Sequence, residues 1–225
     1  MKIELLETAG WYTVFKNLRQ SYSLDTRSEC KHNTAWQHFN NNETKSSIWN
    51  KSEVEFDNKD LQLLSTLVKR GDSHSKIIRG LQTYVEITAP RYWWMEFLTY
   101  NIGVLELNPT IDWVSLNSES TMHTLSKQEL QPSMVTEDVY NDTIQAYNYS
   151  RMDTMDNNIS KEKILKRCKA NLPEGYLQTR TFQVSYQAWR RVYQQRHDHK
   201  LEEWSKDMIE FIESLPFSKE LILVK

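Results

Sequence analysis

A short aromatic segment sets the first requirement on the fold. Residues 91–100 read RYWWMEFLTY and follow Pro90. Proline is well placed as the first residue of a helix, because its φ is fixed and no hydrogen-bond donor is lost. The helix that follows would be apolar on nearly every side, so we expect it to be buried all round. A chain of 225 residues is long enough to build a core around it.

The rest of the chain predicts more helix than strand, in one domain over residues 1–225. Residues 2–6 alternate as in a short strand, and residues 103–116 predict a loop or hairpin. Residues 73–87 begin as a helix or a strand-like segment and favour strand at their end. Further helices are predicted over residues 11–20, 60–70, 136–153, 160–171 and about 184–215.

A polar stretch lies between residues 21 and 59. It is rich in Ser, Asn, Thr and charged residues, with isolated Trp36, Phe39 and Trp49. We predict a long irregular loop held by these aromatic side chains, or a mobile lid. The same side chains would suit a contact surface, since Trp anchors many protein interfaces.

Composition and charge argue against several classes of protein. The formal net charge is -2 with no long run of one sign, whereas general nucleic-acid binding needs a basic face. The beginning, MKIELLETAGWYTVF, lacks the features of a secretory signal, and no apolar stretch approaches the ~20 residues that span a bilayer. Cys30 and Cys168 stand far apart without a partner pattern. These features predict a cytoplasmic protein with free thiols.

Common catalytic motifs are missing from the sequence. His197 and His199 do not stand at a recognised zinc spacing with enough further ligands. The chain has only 5 glycines, none of them in a phosphate-cradling loop, and it has no nucleophile elbow. We therefore predict no metal site.

Glu96 is a polar exception on the aromatic helix. It lies three residues after Trp93 on a segment with little polar surface. A lone buried carboxylate is costly, so we expect Glu96 to be protonated, paired with Arg or His, or facing a water-filled cleft. The two interpretations are a functional carboxylate and a structural ion pair with Arg91, Arg79 or Arg180.

The last helical segment carries a second polar exception. Arg196 and His199 fall on or beside its apolar stripe. Arginine cannot shed its charge, so a buried Arg196 needs a carboxylate or an anion. A phosphate would suit, because the guanidinium matches two phosphate oxygens. A salt bridge to Glu96, Glu202 or Glu203 is the alternative.

Polar residues cluster at positions 117–123, which read Asn-Ser-Glu-Ser-Thr-Met-His. Such residues commonly cap a helix. Together with free backbone N–H groups they also form anion sites. His123 could titrate near neutral pH and serve as an acid or a base.

Arginines and aromatic residues are interleaved late in the chain. They are Arg180, Arg190, Arg191 and Arg196 with Tyr176, Phe182, Tyr186 and Tyr193. Interleaving of this kind would suit nucleic-acid contact. A solvated helix face over core aromatic side chains gives the same pattern, so nucleic acid is the third and weakest interpretation.

The order of these features resembles the flavin-dependent thymidylate synthase superfamily. Its members carry an upstream His, a Pro-led helix with Gln and an Arg-His-Arg triplet, an Asn-Glu-x-Ser-x-Arg-Tyr segment, and a late Arg followed by Ala-Gln-x-Glu. Here Pro90 leads the helix, and Glu96 stands where the family has Gln. The other matches, within about residues 70–205, are His74, Asn117, Ser120, Arg196 and Glu203. The resemblance implies an α+β fold, helix-rich with a small central sheet.

The sequence departs from the family pattern where the family binds phosphates. Thr99-Tyr100-Asn101 replaces the Arg-His-Arg triplet, and Met122-His123 replaces Arg-Tyr. The family uses those arginines for flavin and nucleotide phosphates, so much of the positive charge has been lost. Segments 89–97 and 117–123 look like those of bacteriophage and phage-derived proteins labelled as thymidylate-synthase-complementing.

The resemblance implies a nucleotide-modifying enzyme with a pyrimidine nucleotide as substrate and FAD as cofactor. The implied catalytic residues are Glu96, Ser120 and His123. The implied cofactor-binding residues are His74, Arg79 and Asn117, and the implied substrate-binding residues are Arg91, Asn117, Ser120, Arg180 and Arg196. Because the family builds its sites between subunits, we expect a homo-oligomer. The alternative is a non-catalytic protein that keeps the fold and binds a nucleotide or a host protein.

Overall fold

Short strands and helices alternate along the part of the chain that the structure describes. This computed structural model describes residues 1–20, 31–32, 54–55, 58–99, 113–156 and 159–224. The strands are β1 (Lys2–Ala9), β2 (Lys31–His32), β3 (Val54–Glu55), β4 (Gln82–Pro90), β5 (Trp113–Ser118) and β6 (Leu177–Ser185). The helices are α1 (Trp11–Asn17), α2 (Asn58–Lys69), α3 (Asp72–Ser75), α4 (Arg91–Thr99), α5 (Thr121–Thr124), α6 (Asn141–Asp156), α7 (Lys161–Asn171), α8 (Tyr186–Arg196), α9 (Ile209–Ser214) and α10 (Ser218–Leu221). Two 3-10 segments, Lys76–Gly80 and Pro132–Met134, and a π-helical segment, Glu203–Met208, complete the elements.

Four of the strands form one sheet in the order β1-β4-β6-β5. The Thr83 hydroxyl donates to the Val184 carbonyl at 2.9 Å, and the hydroxyls of Thr88 and Thr179 share a hydrogen bond of 2.9 Å. Residue numbers therefore fall along β6 as they rise along β4, so these strands are antiparallel. The helix-rich α+β fold expected from the resemblance is confirmed.

Contacts divide the chain into two compact units. The described residues of the first unit lie within 1–2, 87–99 and 115–181. Those of the second lie within 3–86, 113–114 and 182–224. The single domain expected from the sequence stays a prediction.

The first unit contains two groups of buried apolar side chains. In α4 the Trp93 ring stacks on Phe97 with centroids 4.9 Å apart and meets the Trp94 ring edge-on, also at 4.9 Å. The start of α4 is fixed because the Arg91 N–H donates to the Tyr176 carbonyl at 3.1 Å. The second group consists of Leu125, Leu130, Val135, Ile144, Tyr147, Ile164, Cys168, Leu172 and Tyr176.

The second unit depends on a close approach of two backbone segments. Gly10, which precedes α1, has a φ of 88°. A Cβ at this position would meet the Gly80 carbonyl oxygen at 1.9 Å, so glycine is required here. The following residue, Trp11, then packs edge-on against Tyr186 with ring centroids 5.4 Å apart.

Helix α4 is not buried all round, so that prediction is wrong. Trp93, Trp94 and Phe97 are buried, whereas Met95 is 67% exposed and Leu98 is 38% exposed. The three aromatic residues follow helical spacing along one face, and Met95 and Leu98 lie along another. The helix is apolar on two faces, but the described residues cover only one of them.

The prediction of one long helix over about 184–215 is wrong at the start and in the middle of that range. Strand β6 continues to Ser185, a strand that the sequence did not predict. The Ser185 hydroxyl then accepts from the Ala188 N–H at 3.1 Å, which caps the start of α8. Helix α8 ends at Arg196, and the π-helical segment begins at Glu203.

Most of the other predicted helices lie near their expected positions. Helix α6 begins later than predicted, because the Thr136 N–H donates to the Gly175 carbonyl at 2.9 Å and the chain turns there. In the predicted loop 21–59, β2 and β3 form an antiparallel pair and α2 already begins at Asn58. Trp36, Phe39 and Trp49 lie outside the described residues.

Three findings bear on the classes considered from composition. Cys168 is a buried free thiol, and Cys30 lies outside the described residues. Across the described ranges, no helix has both the length and the apolar character that a bilayer crossing requires. Within the same ranges, no three His, Cys, Asp or Glu side chains are grouped so that they could hold a metal ion.

Thr83 is a buried hydrogen-bond centre of the second unit. Its hydroxyl donates to the Val184 carbonyl and accepts from Trp189 Nε1 at 2.8 Å, and both Thr83 and Trp189 are fully buried. Thr83→Val keeps the shape but leaves the indole N–H without its acceptor. We expect a loss of about 2 kcal/mol in the free energy of unfolding, measured with urea.

The matched control is Thr13→Val on an exposed position of α1, which should change the free energy of unfolding by less than about 0.5 kcal/mol. A loss in Thr83→Val no larger than in this control would contradict the assigned role of the hydroxyl.

Tyr186 makes stability sensitive to alkaline pH. Its hydroxyl donates to the Pro216 carbonyl at 3.0 Å, and burial raises its pKa well above the ordinary value of 10.0. Above that pH the unfolded chain loses the phenol proton while the native state keeps it. The free energy of unfolding must therefore fall as pH rises.

We expect a shallower fall in Tyr186→Phe, measured by urea unfolding between about pH 9 and pH 11. Some slope should remain, because burial also raises the pKa of Tyr176 and of Tyr193. Equal slopes in the variant and the parent chain would show that Tyr186 does not carry the effect.

Candidate functional site

Arg180 on β6 lies over the buried ring of Trp94 on α4. Its guanidinium carbon is 4.5 Å from the centroid of the Trp94 ring, within the range of a cation–π interaction. Trp94 is 1% exposed, so the ring shields one face of the guanidinium from water. Strand alternation places Gln178 on the same face of β6 as Arg180.

Gln178 fixes the position of this guanidinium. Its side-chain oxygen accepts from Arg180 Nη2 at 2.7 Å and from Arg180 Nε at 3.2 Å. Its amide nitrogen donates to the Glu119 carbonyl at 2.9 Å, and its backbone carbonyl accepts from Trp94 Nε1 at 3.0 Å. Trp94, Glu119, Gln178 and Arg180 are together called the Arg180 cluster.

The charge of Arg180 has no carboxylate partner among the described residues. Burial lowers the pKa of its guanidinium below the ordinary value, yet arginine stays charged at neutral pH. By contrast, Arg91 lies 3.3 Å from the Glu174 carboxylate and also donates to the Leu172 carbonyl. The Arg180 guanidinium therefore carries a positive charge for which an external anion is a suitable partner.

Glu119 holds the end of β5 against β6. Its N–H donates to the Thr179 carbonyl at 3.0 Å, and its carboxylate accepts from the Thr179 N–H at 3.1 Å. The next residue, Ser120, precedes α5, but its hydroxyl makes no capping hydrogen bond. Asn117 is exposed, and its side-chain oxygen accepts from the Ser118 N–H at 2.9 Å. Ser120 and Asn117 thus flank a residue of the Arg180 cluster.

Two further predicted residues lie in the first unit. Glu96 on α4 is half-buried, and neither Arg91 nor Arg180 forms an ion pair with it, so two of its three expected partners are excluded. His123 on α5 is exposed. Their roles as proton-transfer groups stay predictions.

The remaining predicted residues lie in the second unit. His74 is exposed on α3, and Arg79 is half-buried in the 3-10 segment that follows. The guanidinium of Arg196 lies 4.8 Å from the centroid of the buried Trp204 ring. Their assignment to flavin or substrate stays a prediction.

The late arginines do not share one solvated surface. The side chain of Arg190 is 7% exposed, and its Nη1 lies 3.4 Å from the Asp72 carboxylate. Arg191 Nη2 lies 3.8 Å from the same carboxylate. Since Arg180 is also half-buried, this stretch lacks the exposed basic stripe that nucleic-acid backbone contact requires.

Sequence reasoning identified Arg180 but missed the residues that hold it. Trp94 was expected only as a core residue, and Gln178 was not considered because β6 was not predicted. A signal was present in residues 177–185, which contain the β-branched Thr179, Thr181 and Val184 and no Gly or Pro. Reading that strand would have placed Gln178 beside Arg180.

No family model and no curated protein matches this chain. Solved structures do match it. Flavin-dependent thymidylate synthase ThyX from Helicobacter pylori, complexed with FAD and dUMP, has a TM-score of 0.67 at 14% sequence identity, with all of both chains covered. A second structure of Helicobacter pylori ThyX with FAD and dUMP has a TM-score of 0.66 at 13% identity, covering 99% of this chain and 98% of that one. Over its whole length, the chain therefore has a fold similar to that of the flavin-dependent thymidylate synthase ThyX.

Proposed function

We propose that this chain binds a pyrimidine nucleotide and that Arg180 receives the phosphate. The observation that carries this proposal is the half-buried guanidinium, whose hydrogen-bond acceptor among the described residues is the neutral amide of Gln178. A charge withdrawn from water is costly to leave uncompensated. Phosphate oxygens match the guanidinium fork and would supply the compensating charge.

The fold supports a nucleotide as the source of that phosphate. Both similar structures contain dUMP and FAD. In this chain Ser120 and Asn117 stand on either side of Glu119, which is hydrogen bonded to Gln178. We assign contact with the base to these two side chains, and substrate binding to Arg91 and Arg196 by resemblance.

Catalysis would need a group that moves a proton. Glu96 on α4 is half-buried and His123 on α5 is exposed, and we propose one of these two side chains for this role. The expectations of a homo-oligomer, of phage origin and of a cytoplasmic location belong to the same proposal.

The described residues of the first unit fit one phosphate group better than three. FAD and a nucleotide together carry three phosphate groups. Arg91 and Arg151 already form ion pairs with Glu174 and Glu129, so their charges are compensated within the chain. Thr99, at the first position of the family's Arg-His-Arg triplet, is neutral and exposed, and the next two positions lie outside the described residues. FAD therefore stays an expectation from the resemblance, with His74, Arg79 and Asn117 as its ligands.

Arg180→Gln removes the charge and should weaken dUMP binding by about tenfold or more, since hydrogen bonds to charged groups contribute about 1.5–3 kcal/mol. Isothermal titration measures the dissociation constant. Arg70→Gln, at an exposed position after α2, makes the same chemical change and should leave binding unchanged. Equal affinities of the parent chain and Arg180→Gln for dUMP would refute the phosphate assignment.

An absorbance scan of the purified protein, with and without added FAD, separates an enzyme from a binding protein. Flavin bands together with a rise in melting temperature on adding dUMP would support a flavin-dependent nucleotide-modifying enzyme, because ligands that prefer the native state stabilise it. A colourless protein that dUMP stabilises would indicate nucleotide capture. A protein that responds to neither ligand would leave partner binding on this fold as the function.

A further inference from the structure

We infer that Gln178 is a positioning residue that keeps the charge of Arg180 available to an anionic ligand. This inference rests on the proposed function, because it concerns how the same guanidinium is held. An arginine held by a neutral amide keeps an uncompensated charge for an anion, whereas an arginine held by a carboxylate does not.

The orientation of the Gln178 amide is set from both ends. Its nitrogen must face the Glu119 carbonyl, which can only accept a hydrogen bond. Its oxygen must face Arg180 Nε and Nη2, which can only donate. If the amide turned over, its nitrogen would face the two arginine donors and its oxygen would face the Glu119 carbonyl. Gln178 is also 92% buried, so water cannot readily replace either partner.

The contact leaves part of the guanidinium uncommitted. Gln178 uses Nε and Nη2, and the ring of Trp94 covers one face. Nη1 forms no hydrogen bond to another described residue, and Nη2 gives Gln178 only one of its two N–H groups. Three of the five N–H groups of the guanidinium therefore remain for an incoming oxygen. The arginine is held on one edge and presents the other.

The neutrality of Gln178 decides what the presented edge can do. A glutamate has nearly the same shape, and its carboxylate would form the two-point ion pair that arginine favours. That pair would compensate the charge inside the protein and reduce the attraction for any anion outside. The amide accepts the same two hydrogen bonds without supplying a negative charge.

Gln178→Glu tests this directly, with inorganic phosphate and dUMP as separate probes at constant ionic strength. In the parent chain we expect both probes to raise the melting temperature. In Gln178→Glu we expect the phosphate effect to disappear and the dissociation constant for dUMP to rise about tenfold or more. In the ligand-free variant, the new ion pair with Arg180 offsets part of the cost of setting a carboxylate oxygen against the Glu119 carbonyl.

Two further variants separate charge from structure. Gln183→Glu makes the same change on β6 at a half-buried position of the opposite face, and should keep the response to phosphate. Gln178→Met removes all three side-chain hydrogen bonds of this residue without adding a charge, and should lower the affinity for dUMP less than Gln178→Glu does. Should Gln178→Glu fail to fold, the affinities of Gln178→Met and Arg180→Met for dUMP are compared instead. Arg180→Met must lose more affinity, because it removes the charge itself and Gln178→Met removes only the residue that positions it.

The outcomes distinguish this inference from the proposed function. Unchanged dUMP and phosphate responses in Gln178→Glu would overturn the role of Gln178 and leave nucleotide binding standing. A second outcome is that the parent chain responds to phosphate but not to dUMP, and that Gln178→Glu loses the phosphate response. It would support the role of Gln178 and overturn the proposal that the ligand is a pyrimidine nucleotide. No phosphate response in the parent chain would overturn the inference itself.

Discussion

The withdrawal of one positive charge from water governs the polar structure of the first unit. Arg180 lies on the face of Trp94, and its charge orients the side-chain amide of Gln178. The Gln178 oxygen faces the guanidinium, so the Gln178 nitrogen faces the Glu119 carbonyl. Through Glu119 the orientation reaches the end of β5 and the polar residues that follow. A single cation thus aligns groups from two strands and a helix.

Buried polar groups in the second unit show a different arrangement. The Thr83 hydroxyl satisfies both the Val184 carbonyl and the Trp189 indole, and the Tyr186 hydroxyl reaches the Pro216 carbonyl. Each of these groups is neutral and is matched within the chain, which is the usual condition of a protein interior. Arg180 differs because its charge is not matched among the described residues, and this difference supports the proposed contact with an anion.

The sequence predicted the helix-rich character and most helix positions, because helical periodicity and Pro90 are local signals. It did not predict which faces are covered. Helix α4 is apolar around most of its circumference, yet Met95 and Leu98 are exposed, since coverage depends on residues distant in sequence. Strand β6 was missed because its Gln, Thr and Arg residues dilute the apolar signal. Arg180 could be proposed from its residue type. That its partner is the neutral Gln178 depends on the formation of β6, which composition does not encode.

Gln178 also affects how easily this site can be gained or lost in evolution. Glutamine and glutamate codons differ by a single base, so one mutation would replace the neutral partner of Arg180 by a carboxylate that compensates its charge within the protein. Such a change would keep the length of the side chain on β6 and would remove its hydrogen bond to the Glu119 carbonyl. Descendants of one ancestor could therefore share this fold and yet differ in whether they bind an anion.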